Sequence, residues 1–147
     1  MKVIKKIFDQ LVVQELEFLE FKKAWKVLQQ LRPKLTFEDY QRLTKQMPAY
    51  RVFVLAVADE LVAYAGFDIQ YNLYEGKHVF VYELVTDEAH RSKGFGKLLL
   101  DEVAAEGVRQ ACEMLVLTSG IQRLDAHRFY EEKIGLARTS LVFRKAL

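Results

Sequence analysis

The sequence predicts an α/β fold of the α+β kind, with a mixed, mainly antiparallel central sheet flanked by helices. Three observations support this prediction: helical periodicity early in the chain, strand-like segments joined by short turns over 51–86, and a strand–loop–helix–strand unit over 78–118. The 147 residues suit one compact domain, so we predict a single domain spanning 1–147.

The first 50 residues contain a short strand over 2–8 and then two predicted helices. Apolar residues recur at spacings of three and four from about Glu15 to Leu31, and Pro33 ends this helix near Arg32. Thr36 is the expected N-cap of the second helix, which we predict to run through Met47.

Strands and turns alternate over the middle of the chain. The segments 51–58, 61–71 and 78–86 are rich in β-branched and aromatic residues, and short polar turns separate them. The pattern predicts an antiparallel meander in which 78–86 is a central strand.

The last part of the chain returns to a helical pattern. A helix follows the glycines near position 95, with its apolar face at Leu100, Val103, Ala104, Gly107, Val108 and Ala111. A short apolar strand over 114–118 is expected to be buried on both faces and to lie parallel to 78–86 through a right-handed crossover. A helix capped by Asp125 should run to Lys133, and the alternation over 138–144 predicts a final strand.

The overall composition excludes several classes of protein. Hydrophobic residues make up 51% and charged residues 29%, a balance typical of a globular protein with a real core. The net charge of +2 argues against a nucleic-acid-binding protein, and no apolar stretch is long enough to span a membrane. The single cysteine, Cys112, excludes an internal disulfide; together with the lack of a signal-peptide pattern it favours a cytoplasmic location. The three histidines are scattered and no Cys/His cluster exists, so we predict no metal site.

A glycine-containing loop follows the strand over 78–86. It consists of Arg91, Ser92, Lys93, Gly94, Phe95, Gly96 and Lys97. Backbone N–H groups at a helix start bind phosphate, and glycines let an anion approach closely. The spacing alone equally fits an ordinary strand-to-helix turn. The loop lacks the Lys-Ser/Thr ending of the Walker A motif and the third glycine of the dinucleotide fingerprint.

Two motifs together resemble the GNAT superfamily of N-acetyltransferases. The first is Arg-x-x-Gly-x-Gly over 91–96, after a strand that contains Leu84-Val85. The second is Ala-x-x-Phe-Tyr over 126–130, followed by Gly135-Leu136 where family members typically carry Gly-Phe. The resemblance covers most of the chain and is weakest before Arg51. It implies a GNAT-like sheet in which two central parallel strands splay apart.

The resemblance also implies a binding site for acetyl-CoA as cosubstrate. The pyrophosphate would sit on the loop amides, with Lys97 adjacent, and the pantetheine arm would lie along the end of the preceding strand. The implied cofactor-binding residues are Leu84, Val85, Thr86, Arg91, Ser92, Lys93, Gly94, Phe95, Gly96 and Lys97.

Two catalytic residues are implied by the same resemblance. Tyr130 matches the family tyrosine near the CoA sulfur, and a phenol is protonated at neutral pH, so it could donate to the leaving thiolate. Its alternative role is that of a core aromatic. Glu83 is the candidate base, with its neighbours Tyr82 and Leu84 expected on the opposite face of the strand. A solvent-facing or Lys-paired carboxylate is the equal alternative for Glu83, and His127 or water alone are further candidates for the base.

The sequence thus predicts an enzyme that moves acetyl from acetyl-CoA to a primary amine by direct attack in a ternary complex. The acceptor, a small molecule or a protein amine, is not indicated by any residue pattern. The resemblance is compatible with a homodimer. The alternative hypothesis is a non-catalytic CoA-binding or CoA-sensing domain on the same fold.

Overall fold

The computed structural model describes residues 1–147 and contains a six-stranded sheet with helices around it. The strands are β1 (Lys2–Phe8), β2 (Leu11–Leu16), β3 (Arg51–Val57), β4 (Glu60–Asn72), β5 (Gly76–Thr86) and β6 (Met114–Leu117). The α-helices are α1 (Trp25–Leu31), α2 (Phe37–Lys45), α3 (Phe95–Arg109) and α4 (Leu124–Arg128). Two 3₁₀ segments (Phe18–Ala24 and Glu88–His90) and one π-helical turn (Phe129–Ile134) complete the list.

The strands lie in sequence order across the sheet, and β1 to β5 pair antiparallel. β6 lies beside β5 and is reached through α3. The Glu113 amide donates to the Lys77 carbonyl at 2.8 Å, so β5 and β6 begin side by side and run in the same direction. The predicted mixed, mainly antiparallel sheet with flanking helices is confirmed.

The chain groups into two compact units, 1–116 and 117–147. In the first unit, α1, α2 and the 3₁₀ segment Phe18–Ala24 pack an apolar cluster against one face of β3 and β4. α3 packs near β3, β4 and β5 with Leu99, Leu100 and Val103 fully buried. Gly107 lets this helix approach closely, because an added Cβ would lie 2.5 Å from the Val79 side chain.

The predicted start of the first helix is wrong. Glu15 and Leu16 belong to β2, a strand that sequence periodicity did not predict, and α1 begins only at Trp25 after the 3₁₀ segment. β2 is a strand because it pairs with β1 on one side and with β3 on the other. Such contacts between distant parts of the chain cannot be read from local periodicity. α2 agrees better, since the Thr36 hydroxyl caps it by accepting from the Asp39 amide at 3.0 Å.

Several predictions for the last third of the chain are also wrong. β6 is not buried on both faces, because Met114 is exposed and the other three residues of the strand are only half-buried. Asp125 lies in the first turn of α4, whose N-cap is Arg123. Residues 138–144 form no strand: in the second unit only Leu117 belongs to one, so the alternating side chains have no ladder to join.

Candidate active site

The turn that follows β5 is held by polar contacts with α1. The Gln30 side chain donates to Asp87 Oδ1 at 2.6 Å and accepts from the Glu88 amide at 2.9 Å. Asp87 also accepts from the Ala89 amide and contacts the His90 ring. These contacts with Gln30 therefore fix the path of the chain between the end of β5 and the start of the glycine loop.

The glycine loop is open at the start of α3. Gly94 is the N-cap residue with φ of 79°, a left-handed conformation that glycine adopts without strain, and an added Cβ there would meet nothing within 4 Å. No side chain caps the helix and its first turn contains no acid. The first intrahelical bond runs from the Leu98 amide to the Gly94 carbonyl, which leaves the preceding amides free of helical partners. Such a helix start can bind an anion through its N–H groups and dipole.

The cations of the loop differ in their surroundings. Arg91 Nε donates to the Thr86 carbonyl at 3.3 Å, which ties the loop back to the end of β5. Lys97 forms an ion pair with Asp101 at 2.7 Å, one turn further along α3. Ser92 and Lys93 are exposed, and Ser92 has a φ of 65°. Residues 84–86 thus lie at the end of β5, and residues 91–97 lie in the turn before α3 and in its first helical residues.

The end of β5 extends past its neighbour β6. Leu84 lies seven residues after Lys77, about 23 Å along an extended strand, whereas the four residues of β6 cover about 13 Å. Ala63 to Ala65 of β4 pair with one edge of this stretch. The other edge of β5 at Leu84, Val85 and Thr86 therefore lies beyond the end of β6.

Glu83 lies at an irregularity in the pairing of β4 with β5. Gly66 pairs with Glu83 and Phe67 pairs with Val81, so Tyr82 is an extra residue on β5. The predicted alternation is wrong here: the Glu83 carboxylate and the Tyr82 ring both contact Tyr50. A bulge of this kind re-aims side chains that a regular strand would place on opposite faces.

A chain of hydroxyl groups leads from Glu83 into the core. The Tyr50 hydroxyl lies 2.9 Å from Glu83 Oε2 and 3.1 Å from Oε1. It also lies 2.8 Å from the Tyr64 hydroxyl, which in turn is 3.3 Å from the Tyr40 hydroxyl. Tyr40 donates to the Phe21 carbonyl at 3.2 Å.

The environment of Glu83 changes its acidity. Burial of the half-buried carboxyl raises the pKa of Glu83 to about 7, although the Tyr50 hydrogen bond and the charge of Arg32 act to lower it. Arg32 stands at the end of α1, where it donates to the Tyr82 carbonyl at 3.1 Å. A carboxylate with this pKa can accept and release a proton near neutral pH.

Tyr130 belongs to the second unit. It is 9% exposed, lies in the π-helical turn, and its ring packs edge-on against Phe129 with the centroids 5.5 Å apart. In the same unit His127 Nε2 lies 2.8 Å from the Gly120 carbonyl, while its Nδ1 is buried without a hydrogen-bond partner.

Sequence reasoning did not identify Tyr40, Tyr50, Tyr64, Gly66 or Arg32 as neighbours of Glu83. Their only local signals were a tyrosine just before a strand and a glycine within one. Contact with Glu83 depends on sequence separations such as the 33 residues between Tyr50 and Glu83. The periodicity of the sequence cannot predict contacts between residues so far apart.

The sequence was compared with protein families and curated proteins, and the structure with solved structures. The sequence model of the acetyltransferase (GNAT) family matches residues 13–136. The uncharacterised N-acetyltransferase YhdJ of Bacillus subtilis (strain 168) is 36% identical over 129 residues, which cover 86% of this chain and 91% of that protein.

Solved structures share the fold at low identity. The aminoglycoside N-acetyltransferase AAC(6')-Iy in complex with CoA is similar with a TM-score of 0.83 and 12% identity, over 97% of this chain and 99% of that one. The ribosomal-protein-alanine N-acetyltransferase from Brucella melitensis biovar Abortus 2308 has a TM-score of 0.78 and 22% identity, over 92% and 99%. None of the helices of the present structure combines the length and apolar character needed to cross a membrane.

Proposed function

The chain belongs to the GNAT superfamily of N-acetyltransferases, and from this premise we propose that it transfers the acetyl group of acetyl-CoA to a primary amine. The amine attacks directly in a ternary complex, and residues 1–147 act as one domain. A family model that spans both compact units supports the single domain. Family membership supports acetyl transfer in general, and the CoA bound to AAC(6')-Iy supports the donor.

Residues of β5 and the glycine loop hold the donor in this proposal. The pyrophosphate lies on the amides at the start of α3, where Gly94 leaves open space and no acidic side chain competes. The exposed Lys93, with Arg91 and Lys97 nearby, adds positive charge. The edge of Leu84, Val85 and Thr86 that extends past β6 binds the amide groups of the pantetheine arm as a strand would.

Acetyl transfer requires a neutral amine and a leaving sulfur that receives a proton. The amine nitrogen forms a bond to the acetyl carbon while the bond from that carbon to sulfur breaks. Glu83 takes the proton that the amine loses, and Tyr130 gives its proton to the sulfur. The role of Tyr130 rests on the Ala-x-x-Phe-Tyr motif. The observation that carries the catalytic proposal is the Glu83 carboxyl, whose pKa of about 7 suits a base at neutral pH.

Replacement of Glu83 with Gln tests the base. The substitution keeps the shape and the acceptor for Tyr50 but removes the titrating group. We expect kcat/KM for amine-dependent CoA release to fall by about 10²–10⁴-fold at pH 7.5, the range for general-base catalysis. The exposed Glu60, replaced by Gln, is the matched control. If both variants keep wild-type turnover, Glu83 is not the base.

Ligand-dependent stability and thiol release, measured together, separate the enzyme from the binding-only alternative. Acetyl-CoA and CoA at 100 times their Kd should stabilise the protein by about 2.7 kcal/mol, whereas ATP and NAD should not. A CoA-binding domain without catalysis shows this stabilisation but releases no thiol with any amine. A Tyr130→Phe variant with full turnover would exclude Tyr130 as the acid.

A further inference from the structure

Three buried tyrosines from different parts of the chain meet behind Glu83. Tyr40 lies on α2, Tyr50 precedes β3 and Tyr64 lies on β4. They are 3%, 7% and 0% exposed, and burial is the main cause that raises the pKa of each. All three hydroxyls therefore stay protonated at any pH at which the enzyme works.

The hydrogen-bond partners determine which way the hydroxyl protons point. Tyr40 gives its single proton to the Phe21 carbonyl, which can only accept. Tyr64 then donates along the shorter of its two contacts, the 2.8 Å distance to Tyr50 rather than the 3.3 Å distance to Tyr40. The proton of Tyr50 is left for Glu83, whose two oxygens lie 2.9 and 3.1 Å away.

The ring of Tyr50 is fixed by packing as well as by these bonds. It lies over Gly66, where an added Cβ would be 1.9 Å from the hydroxyl oxygen. The Phe21 and Tyr82 rings pack edge-on against it with centroid distances of 5.9 and 5.7 Å. Its hydroxyl therefore has little freedom to turn away from the carboxylate.

We propose that Tyr50 is a positioning residue for Glu83: its hydroxyl, oriented by Tyr64, fixes the carboxylate and stabilises its ionised form. This inference rests on the proposed function only in taking Glu83 as the base. Without the hydrogen bond, a smaller fraction of the desolvated carboxyl would be ionised at neutral pH and able to accept a proton from the amine. Tyr50 itself does not contact substrate in this role.

Other groups face Glu83 from the elements packed around it. They are Arg32 at the end of α1, Tyr40 on α2, Tyr64 on β4 and Tyr82 on β5, each close enough to interact electrostatically with Glu83. Arg32 acts in the same direction as Tyr50, because its positive charge also lowers the pKa of Glu83. Tyr82 packs on Tyr50 but gives its proton to Asp68 at 2.9 Å, so it provides a matched control.

The test is a ¹³C NMR titration of the Glu83 carboxyl in the full-length protein without ligands, with Glu83→Gln used to assign the signal. Tyr50→Phe keeps the ring and should move the titration of Glu83 up by about one pH unit, since a hydrogen bond to a charged group is lost. Tyr82→Phe should leave it within a few tenths of a unit. Gly66→Ala, which displaces the Tyr50 hydroxyl without removing it, should also raise it.

The outcomes distinguish this inference from the proposed function. If Tyr50→Phe leaves the titration unchanged or lowers it, or if Tyr82→Phe moves it equally, the positioning role is overturned. The titration needs neither acetyl-CoA nor an amine, so a failure of acetyl transfer does not affect it. Where transfer is observed, the acid limb of kcat/KM should move with the titration in Tyr50→Phe, and activity should recover at high pH. An unmoved acid limb contradicts the role.

Discussion

A methyl group at position 66 would show how tightly Tyr50 is held. The Cβ of Gly66→Ala would lie 1.9 Å from the Tyr50 hydroxyl oxygen and 2.6 Å from the ring carbon that bears it. Contact between such atoms needs about 3.5 Å, so either the ring or the β4 backbone must shift by more than 1 Å. Both neighbours of the ring are aromatic and one of them, Phe21, is buried.

The cost follows from the contacts that this shift disturbs. Overpacking a dense core costs about 1–3 kcal/mol, and the hydroxyl bonds to Tyr64 and Glu83 contribute about 1 kcal/mol each. Alanine in a strand recovers about 0.5–1 kcal/mol relative to glycine. We therefore expect Gly66→Ala to lower the free energy of unfolding by about 2–4 kcal/mol, or the melting temperature by roughly 5–15 °C.

Urea unfolding in a double-mutant cycle is the assay. With Tyr50→Ala as the background, the space over position 66 is empty and the Gly66→Ala change should cost nothing or stabilise slightly. A coupling energy of about 2–4 kcal/mol between the two positions is the expected result. Gly66→Ala with wild-type stability, or with the same cost in both backgrounds, would refute the close packing of Tyr50 on Gly66.

Three other predictions concern Glu83, Arg51 and Gly94. Because the pKa of Glu83 is raised from 4.5 to about 7, its contribution to stability is complete below pH 4.5 and is lost as pH rises through 7. Urea unfolding should therefore show that the wild-type protein loses about 2–3 kcal/mol of stability between pH 5 and pH 8 that the Glu83→Gln variant does not lose. The side chain of Arg51 is 26% exposed and binds Glu15 at 2.7 and 2.9 Å and Glu106 at 2.8 Å. Arg51→Leu should lower the free energy of unfolding in urea by about 2–4 kcal/mol. The control, Arg42→Leu at an exposed ion pair, should lower it by less than about 1 kcal/mol. Gly94→Val should abolish stabilisation by CoA in a thermal-shift assay while the protein still unfolds cooperatively, and unchanged CoA affinity would place the donor elsewhere.

Short-range signals in the sequence predicted the part of the site that depends on local structure. The strand over 78–86, the two glycines and the amphipathic helix after them are contiguous, so composition and period are enough to order them. The Thr36 cap is a local signal of the same kind. These elements are confirmed by the structure with shifts of only one or two residues at their ends.

The rest depended on contacts between distant parts of the chain. The strand Leu11–Leu16 forms because β1 and β3 pair with it. Its sequence has no strict alternation of apolar and polar residues that would predict a strand. The extra residue at Tyr82 brings two neighbouring side chains to the same tyrosine, which a period of two cannot predict. Conversely, 138–144 alternates as a strand would but has no strand to pair with in its own unit.

The environment of Glu83 could be predicted from the sequence only in part. The sequence made Glu83 a candidate base through the family resemblance, with a solvent-facing or Lys-paired carboxylate as the equal alternative. The hydroxyl that faces it could not be predicted, because Tyr50 approaches only when β3, β4 and β5 are assembled over Gly66.

Amine-dependent release of CoA from acetyl-CoA tests the central claim most directly. A panel of polyamines, amino sugars, amino acids and peptide amines should include at least one acceptor that releases thiol in proportion to acetylated product, as measured by mass spectrometry. At a constant concentration of neutral amine, the rate should rise about tenfold between pH 6 and pH 7.5 as Glu83 ionises, and Glu83→Gln should lose this rise. Stabilisation by acetyl-CoA without thiol release for any amine in the panel would contradict the account.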